Sequence, residues 1–248
     1  MPQIRKNQPS NTLKKHKTLQ EMVAESKLKY VNMDIKTFHF NPLAVNTYIL
    51  SDETKEAVIV DPGNCRFYED GQIREYVADN NLKVKYIINT HPHLDHIAGN
   101  PWCKKEYGVD ILIHEAGMKE YNRAYAYATV FGFELEEMPA PDRYIQDGEI
   151  LTFGNQRLEV RYTPGHCEGS VCLYNADNQV IFTGDLIFEM SVGRSDLPSG
   201  NAEKLLQSIR EKILTLPDEV TILSGHGGPT TVGRERKGNS FINGQWDM

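Results

Sequence analysis

Cysteine is scarce in this chain. There are four in 248 residues, Cys65, Cys103, Cys167 and Cys172, and no C-x-x-C pair. Thiols scattered in this way fit a reduced, cytoplasmic protein and argue against a disulfide framework. Long apolar runs are missing too: none approaches the roughly 20 residues that span a bilayer. The N-terminus is polar and lysine-rich, without the apolar segment of a secretory signal, so no membrane partner is expected. Basic charge is short everywhere beyond the first 30 residues. The net charge of −7 divides into +5 over residues 1–30 and −12 over the remainder. An acidic body lacks the basic face that phosphate neutralisation needs, which argues against nucleic acid as a partner.

What is present reads as two regions. Residues 1–30 are polar, basic and weakly periodic, and are expected to form a disordered extension; Met33 is an expected alternative start. Residues 31–248 are expected to form the functional domain. "IKTFHF", "NTYILSD" and "EAVIVDPG" are short β-branched or aromatic runs between turn residues, the pattern of a strand meander. "QIREYVADNN" predicts a helix, "VKYIINT" a buried strand, "PWCKKEYG" a helix and "VDILIH" a strand. "AGMKEYNRAYAYATVFG" predicts one helix ended by Gly132. "GEILTFG", "QRLEVRYTPGH", "SVCLYNADNQVIFTGD" and "EVTILSGHG" are strands again. Ala202–Leu214 predicts a helix with Leu205, Ile209 and Ile213 on one stripe. Runs of strands with helices spaced between them predict an α/β four-layer αββα sandwich. Nothing in the sequence specifies an oligomer.

Histidine is where the chemistry concentrates. "THPHLDHIAGN" places His91, His93, Asp95 and His96 within six positions of a chain that holds eight histidines. Three later residues also follow strands and sit beside glycine: His166 in "TPGH", Asp185 in "FTGD" and His226 in "LSGHGG". Ligand sites favour the carboxyl ends of strands, where loops converge. Imidazole and carboxylate suit Zn²⁺, Fe²⁺ or Mn²⁺ without any thiolate. Seven such groups are too many for one tetrahedral ion and enough for two, as in dinuclear hydrolases.

This set, His91-x-His93-x-Asp95-His96 with His166, Asp185 and His226, resembles the metallo-β-lactamase superfamily. "AVIVDPG", "TPGH", "FTGD", "GRSDLP" and "GHGGPTT" resemble more narrowly its glyoxalase II-like, hydroxyacylglutathione hydrolase-like, single-domain branch, over Met33 to the C-terminus. The resemblance implies His91, His93 and His166 on one metal, Asp95, His96 and His226 on a second, and Asp185 bridging. Asp61 and Thr90 match positions that support the ligands. Two divalent ions, zinc first and iron or manganese as alternatives, would generate a bridging hydroxide. That hydroxide would attack an acyl thioester, a small-molecule substrate, with Asp95 helping to orient it.

The chain departs from glyoxalase II proper. The 22 residues after His226 are too few for that enzyme's C-terminal helical domain, and Arg194 in "VGRSD" stands where the family carries a glutathione-contacting lysine. Arg194 is therefore a candidate for gripping a substrate carboxylate, or for pairing with Asp196 to staple its loop. Cys167 and His114 are expected to be structural, and Tyr121, Tyr125, Tyr127 and Phe131 to be part core and part pocket wall. Two competing readings remain: a mononuclear iron persulfide dioxygenase using His91, His166 and Asp185, and a non-catalytic binding or regulatory protein that keeps the fold.

Overall fold

Side chains alternate across each strand, and that alternation builds the molecule in the computed structural model, which describes residues 32–133 and 137–244. The extension expected over residues 1–30 lies outside these. One six-stranded sheet runs in sequence order: β1 (Asp34–Phe40), β2 (Val45–Ser51), β3 (Glu56–Val60), β4 (Lys83–Ile88), β5 (Asp110–His114) and β6 (Arg143–Ile145). Its first three strands are antiparallel, and β3 to β6 are parallel. The second sheet has the order β14-β13-β10-β9-β8-β7. Its strands are β7 (Ile150–Phe153), β8 (Gln156–Tyr162), β9 (Val171–Asn175), β10 (Val180–Gly184), β13 (Thr221–Ser224) and β14 (Thr230–Thr231). A small hairpin, β11 (Ile187–Phe188) with β12 (Ser191–Val192), stands apart from both.

Odd and even residues of a strand serve different layers. Tyr48, Leu50, Val58, Val60 and Ile88 of the first sheet meet Leu158, Val160, Leu173 and Phe182 of the second, forming the core between the sheets. Their neighbours Ile49, Ile59 and Ile87 face outward onto Ile73 and Val77 of α1 (Phe67–Asp79) and Cys103 of α3 (Asn100–Tyr107). On the opposite side, Cys172, Ile181 and Ile222 pack against Leu205, Ile209 and Ile213 of α5 (Ala202–Ser208, continued as a π turn over Ile209–Ile213) and Val232 of α6 (Val232–Gly238). The order is helix, sheet, sheet, helix: the predicted αββα sandwich. Each fully buried aliphatic or aromatic side chain contributes roughly 1.5–3 kcal/mol, so the inter-sheet layer is the main tie between the two halves. Among the described residues no helix is long and apolar enough to cross a membrane.

Some elements differ from expectation. The helix predicted over 116–132 is three pieces: a 3₁₀ turn at Glu115–Gly117, α4 (Met118–Tyr127), and a second 3₁₀ turn at Ala128–Phe131, where the β-branched Thr129 and Val130 are poor helix formers. The His-rich stretch contains a one-turn helix, α2 (Leu94–Ile97). Strands β6, β11, β12 and β14 hold only two or three residues each, too few for a period-2 signal.

Candidate metal centre

Five strands deliver their carboxyl ends to one edge of the sandwich. The run Tyr86–Ile87–Ile88 is buried and carries the chain into Asn89, Thr90 and His91. His93 caps α2, and Asp95 and His96 lie on its single turn. His166 follows β8, Asp185 follows β10, and His226 follows β13. Asp61 follows β3 with φ 51°, a left-handed conformation that Asp tolerates better than most residues.

All seven candidates meet there. His91, His93 and His166 present nitrogens within 4.8 Å of one another, and Asp95, His96 and His226 do the same with an oxygen and two nitrogens. Asp185 stands between the groups. Its Oδ2 lies 3.6 Å from His166 Nε2 and 3.7 Å from His226 Nε2, and its Oδ1 lies 3.3 Å from His96 Nε2. Within the groups, His166 Nε2 approaches His93 Nδ1 at 2.7 Å, and His226 Nε2 lies 3.0 Å from Asp95 Oδ2. Arg194 reaches this cluster through its backbone.

The ring tautomers follow from the acceptors behind them. His166 Nδ1 donates to the Arg194 carbonyl at 2.8 Å, leaving Nε2 as the free lone pair. His96 Nδ1 donates to Asp61 Oδ2 at 2.9 Å. Thr90 gives its hydroxyl proton to the same oxygen at 2.6 Å, so its Oγ1 is left to accept from His91 Nδ1 at 3.1 Å. The Thr90 backbone N–H donates to Asp61 Oδ1 at 2.7 Å. Asp61, His91 and His96 also lie close enough to form a third group, but both Asp61 oxygens already accept hydrogen bonds. One buried carboxylate thus orients a histidine of each cluster.

The residues fit divalent metal. Of five buried side-chain polar atoms that lack a hydrogen bond among the described residues, three are His91 Nε2, His96 Nε2 and Asp185 Oδ1. Buried polar atoms are rarely left without a partner, and these three face the middle of the seven-residue set. Electrostatics separates the two clusters. Burial, assisted by the neighbouring rings, holds His91 well below the ordinary histidine range. His93 is lowered to about 3, again chiefly by burial, and His166 is lowered for the same reason. These are neutral imidazoles, the form that binds metal. At His96 burial is the largest single influence and favours the neutral ring, yet Asp95, Asp185 and Asp61 together raise it well above the ordinary range. At His226 burial is likewise outweighed, by its hydrogen bond to Asp95 and by Asp185. A cluster that draws a proton onto a fully buried ring is one whose carboxylates call for positive charge.

Close packing shapes the edge. A Cβ at Gly225 would meet Asp185 Oδ1 at 2.2 Å and His96 Cε1 at 2.5 Å, and one at Gly193 would meet the Asp185 carbonyl at 1.8 Å. The loop holding His226 is clamped to the first sheet by Asn46, whose Nδ2 donates to the Ser224 and Gly227 carbonyls at 2.9 Å each, and by Tyr48, whose OH donates to the Ser224 carbonyl at 2.6 Å. Sequence reasoning missed this clamp; its only trace is an Asn inside an otherwise strand-like run. Cys167 lies behind His166 with Sγ 3.3 Å from Ser170 Oγ, and burial pushes its thiol up to about 11, as befits a space-filling residue rather than a nucleophile. His114 stacks on Tyr162 with 4.2 Å between ring centroids, away from the cluster. Tyr121 is buried and Tyr125 exposed; the side chains of Tyr127 and Phe131 lie outside the described set.

A cleft of about 580 Å³ opens over five of the seven residues, His93, Asp95, His166, Asp185 and His226. Its walls are mostly apolar, with Leu43, Leu94, Ala124, Phe133, Leu197 and Pro198. Beyond the candidate ligands, its charged groups are Glu120, Arg123 and Arg194.

Known proteins share this architecture. Residues 40–226 match the family model of the metallo-beta-lactamase superfamily. The chain is 33% identical over 213 residues to the hydroxyacylglutathione hydrolase GloC of Haemophilus influenzae, covering 85% of this chain and 99% of that one. It is 32% identical over 188 residues to the mitochondrial persulfide dioxygenase ETHE1 of Bos taurus, covering 73% of this chain and 63% of that one. Among solved structures, TTHA1623 in a di-iron-bound form superposes with a TM-score of 0.75 at 30% identity, covering 83% of this chain and 99% of that one.

Proposed function

The chain belongs to the metallo-β-lactamase superfamily, and from that premise we propose that it is a metal-dependent hydrolase of small-molecule thioesters, of the hydroxyacylglutathione hydrolase-like kind. His91, His93 and His166 would hold one divalent ion and Asp95, His96 and His226 a second, with the Asp185 carboxylate serving both. Zinc is the first expectation and iron the second, the latter supported by the di-iron relative. When bound, such a pair lowers the pKa of water from 15.7 to about 7 and polarises an acyl carbonyl. The protein supplies the rest. Asp61, Thr90 and the Arg194 carbonyl fix the tautomers of His96, His91 and His166. Asp95, whose Oδ2 lies 3.0 Å from His226 Nε2, would help to orient the attacking group. The apolar walls of the cleft shed water and strengthen each charge interaction inside. A thiolate leaving group, with a conjugate-acid pKa of about 8.5, departs without a strong general acid. The four cysteines are free thiols, which supports action in a reducing, cytoplasmic setting.

The observation that carries this reading is the pair of three-residue clusters with one carboxylate between them. The test is a turnover screen of thioesters, S-lactoylglutathione and thioesters of other thiols included, with metal stoichiometry measured on the same sample. Two divalent ions per chain with thioester hydrolysis is the expected result. The persulfide dioxygenase similarity favours a second reading, in which His91, His166 and Asp185 hold a single iron. One iron per chain, with oxygen uptake on glutathione persulfide, selects it. Full metal loading without turnover of any thioester, lactone or persulfide points instead to a non-catalytic binding role.

A further inference from the structure

The cleft carries two arginines, and they are in different states. Arg194 is committed to its neighbour: Nε donates to Asp196 Oδ1 at 2.8 Å and Nη2 to Asp196 Oδ2 at 2.9 Å. The pair stands well out in solvent, where such bridges add little stability, and it occupies two of the guanidinium's five N–H donors, those of its Nε/Nη2 edge. Arg123, on α4, lines the same cleft and forms no ion pair or hydrogen bond with any described residue. Glu120 sits three positions earlier, the spacing at which helix neighbours pair, and lines the cleft as well. The two do not pair.

The base of Arg123 is nevertheless fixed with respect to the seven-residue cluster. A buried polar chain ties α4 to the His-rich stretch. Asn89 Nδ2 donates to the His96 carbonyl and to Asn100 Oδ1, both at 3.2 Å. Asn100 Nδ2 donates to Tyr121 OH at 3.3 Å, and Tyr121 OH donates to the Pro139 carbonyl at 2.8 Å. Tyr121 and Ala124 pack with Ile97 and Ile113, which leaves Glu120 and Arg123 to the cleft side. A few polar groups in a mostly apolar cleft set how a ligand lies, and a guanidinium fork unpaired among the described residues is built for a carboxylate.

We propose that Arg123 is the substrate-binding residue that receives a carboxylate on one arm of the thioester, and that Arg194 is a loop staple. The proposal rests on the thioesterase reading above. It transfers to α4 the role for which Arg194 is the sequence candidate.

The test measures binding separately from chemistry. Two unreactive thioether analogues, one with a free carboxylate and one with the corresponding primary amide, are titrated by calorimetry into metal-loaded protein. Wild type is expected to bind the carboxylate about 10- to 100-fold more tightly, the range of a charge-assisted hydrogen bond. Arg123→Ala and Arg123→Gln bring the two affinities within about 3-fold of each other, leaving the amide's affinity and the metal content unchanged. Arg194→Ala keeps the preference. On a carboxylate-bearing thioester the Arg123 variants raise KM and leave kcat nearly unchanged, because the lost contact serves binding alone. Equal wild-type affinity for both analogues, a preference that survives in the Arg123 variants, or its loss in Arg194→Ala overturns the proposal. An Arg123-dependent preference without hydrolysis of any thioester sinks the reaction assigned above and leaves the subsite standing. Hydrolysis without that preference does the reverse.

Discussion

The two sheets contribute to the metal centre in different ways. The first brings four of the seven candidates on one stretch of six residues, His91 to His96, folded as a strand end and a single helical turn. The second brings His166, Asp185 and His226 from three separate strand ends. The first half is a local device: its spacing is set by one loop. The second half is a tertiary device, whose geometry exists only when β8, β10 and β13 are in register and docked on the first sheet. Asp185 sits where the two meet, whereas Asp61 belongs to the first. Asp185 touches rings from both halves, and Asp61 lies behind His91 and His96.

The largest effect is expected where the halves share an atom. Asp185→Asn removes the charge between the clusters and sets an amide nitrogen among ring nitrogens. Metal affinity and thioester hydrolysis should each fall at least about 100-fold, the upper end of what losing a ligand's supporting partner costs. Elemental analysis of the dialysed protein checks it; full occupancy with normal turnover would remove Asp185 from the bridging role. Asp61→Asn comes next, at about 10- to 100-fold in metal affinity. An amide can accept only through its oxygen, so either the Thr90 backbone N–H or both the Thr90 hydroxyl and His96 Nδ1 are left facing an NH₂ group. Because Asp61 stands behind one ring of each cluster, both metal equivalents should weaken together in a competitive chelator titration. Loss of one equivalent alone would show that the clusters are supported independently.

That asymmetry also explains what was legible in the sequence. The four residues of the first half announce themselves because one loop must crowd metal-binding side chains to serve two ions. His166, Asp185 and His226 were legible individually, each following a strand beside a glycine, and Gly225 shows why: no side chain fits against Asp185 and His96. The sandwich was readable because strands such as β2 and β3 alternate cleanly between two cores. Asn46 was not, since one buried Asn has no spacing to recognise and its partners are carbonyls about 180 residues away in sequence. Glu120 and Arg123 drew no reading from the sequence, because only the docked cleft distinguishes them from other charges on helices. For Arg194 the sequence left substrate grip and loop staple as alternatives; its fork in fact faces Asp196.

The clamp between halves should matter for stability more than for chemistry. Asn46→Ala leaves the Gly227 carbonyl without this donor and the Ser224 carbonyl with Tyr48 OH alone, at a cost of about 1–3 kcal/mol. Thermal unfolding should show this as a Tm lower by several degrees, at about 2–4 °C per kcal/mol for a chain of this size. If Asn46 acts only as a clamp, saturating metal should restore kcat while the Tm deficit persists relative to metal-loaded wild type. A kcat that stays low at full occupancy would mean the His226 loop is positioned by Asn46 even when metal holds it.

The smallest effect is expected beside His166. Cys167 is fully buried, and burial holds its thiol protonated with a pKa of about 11. At neutral pH it therefore has almost no thiolate with which to attack a thioester. Cys167→Ser keeps the small volume and a weak donor toward Ser170, so kcat should change by less than about 3-fold, the scale of a lost weak contact. A collapse of turnover with intact metal content and unchanged Tm would give the thiol a chemical part. The second sheet would then supply a nucleophile as well as ligands, and the division drawn between the halves would have to move.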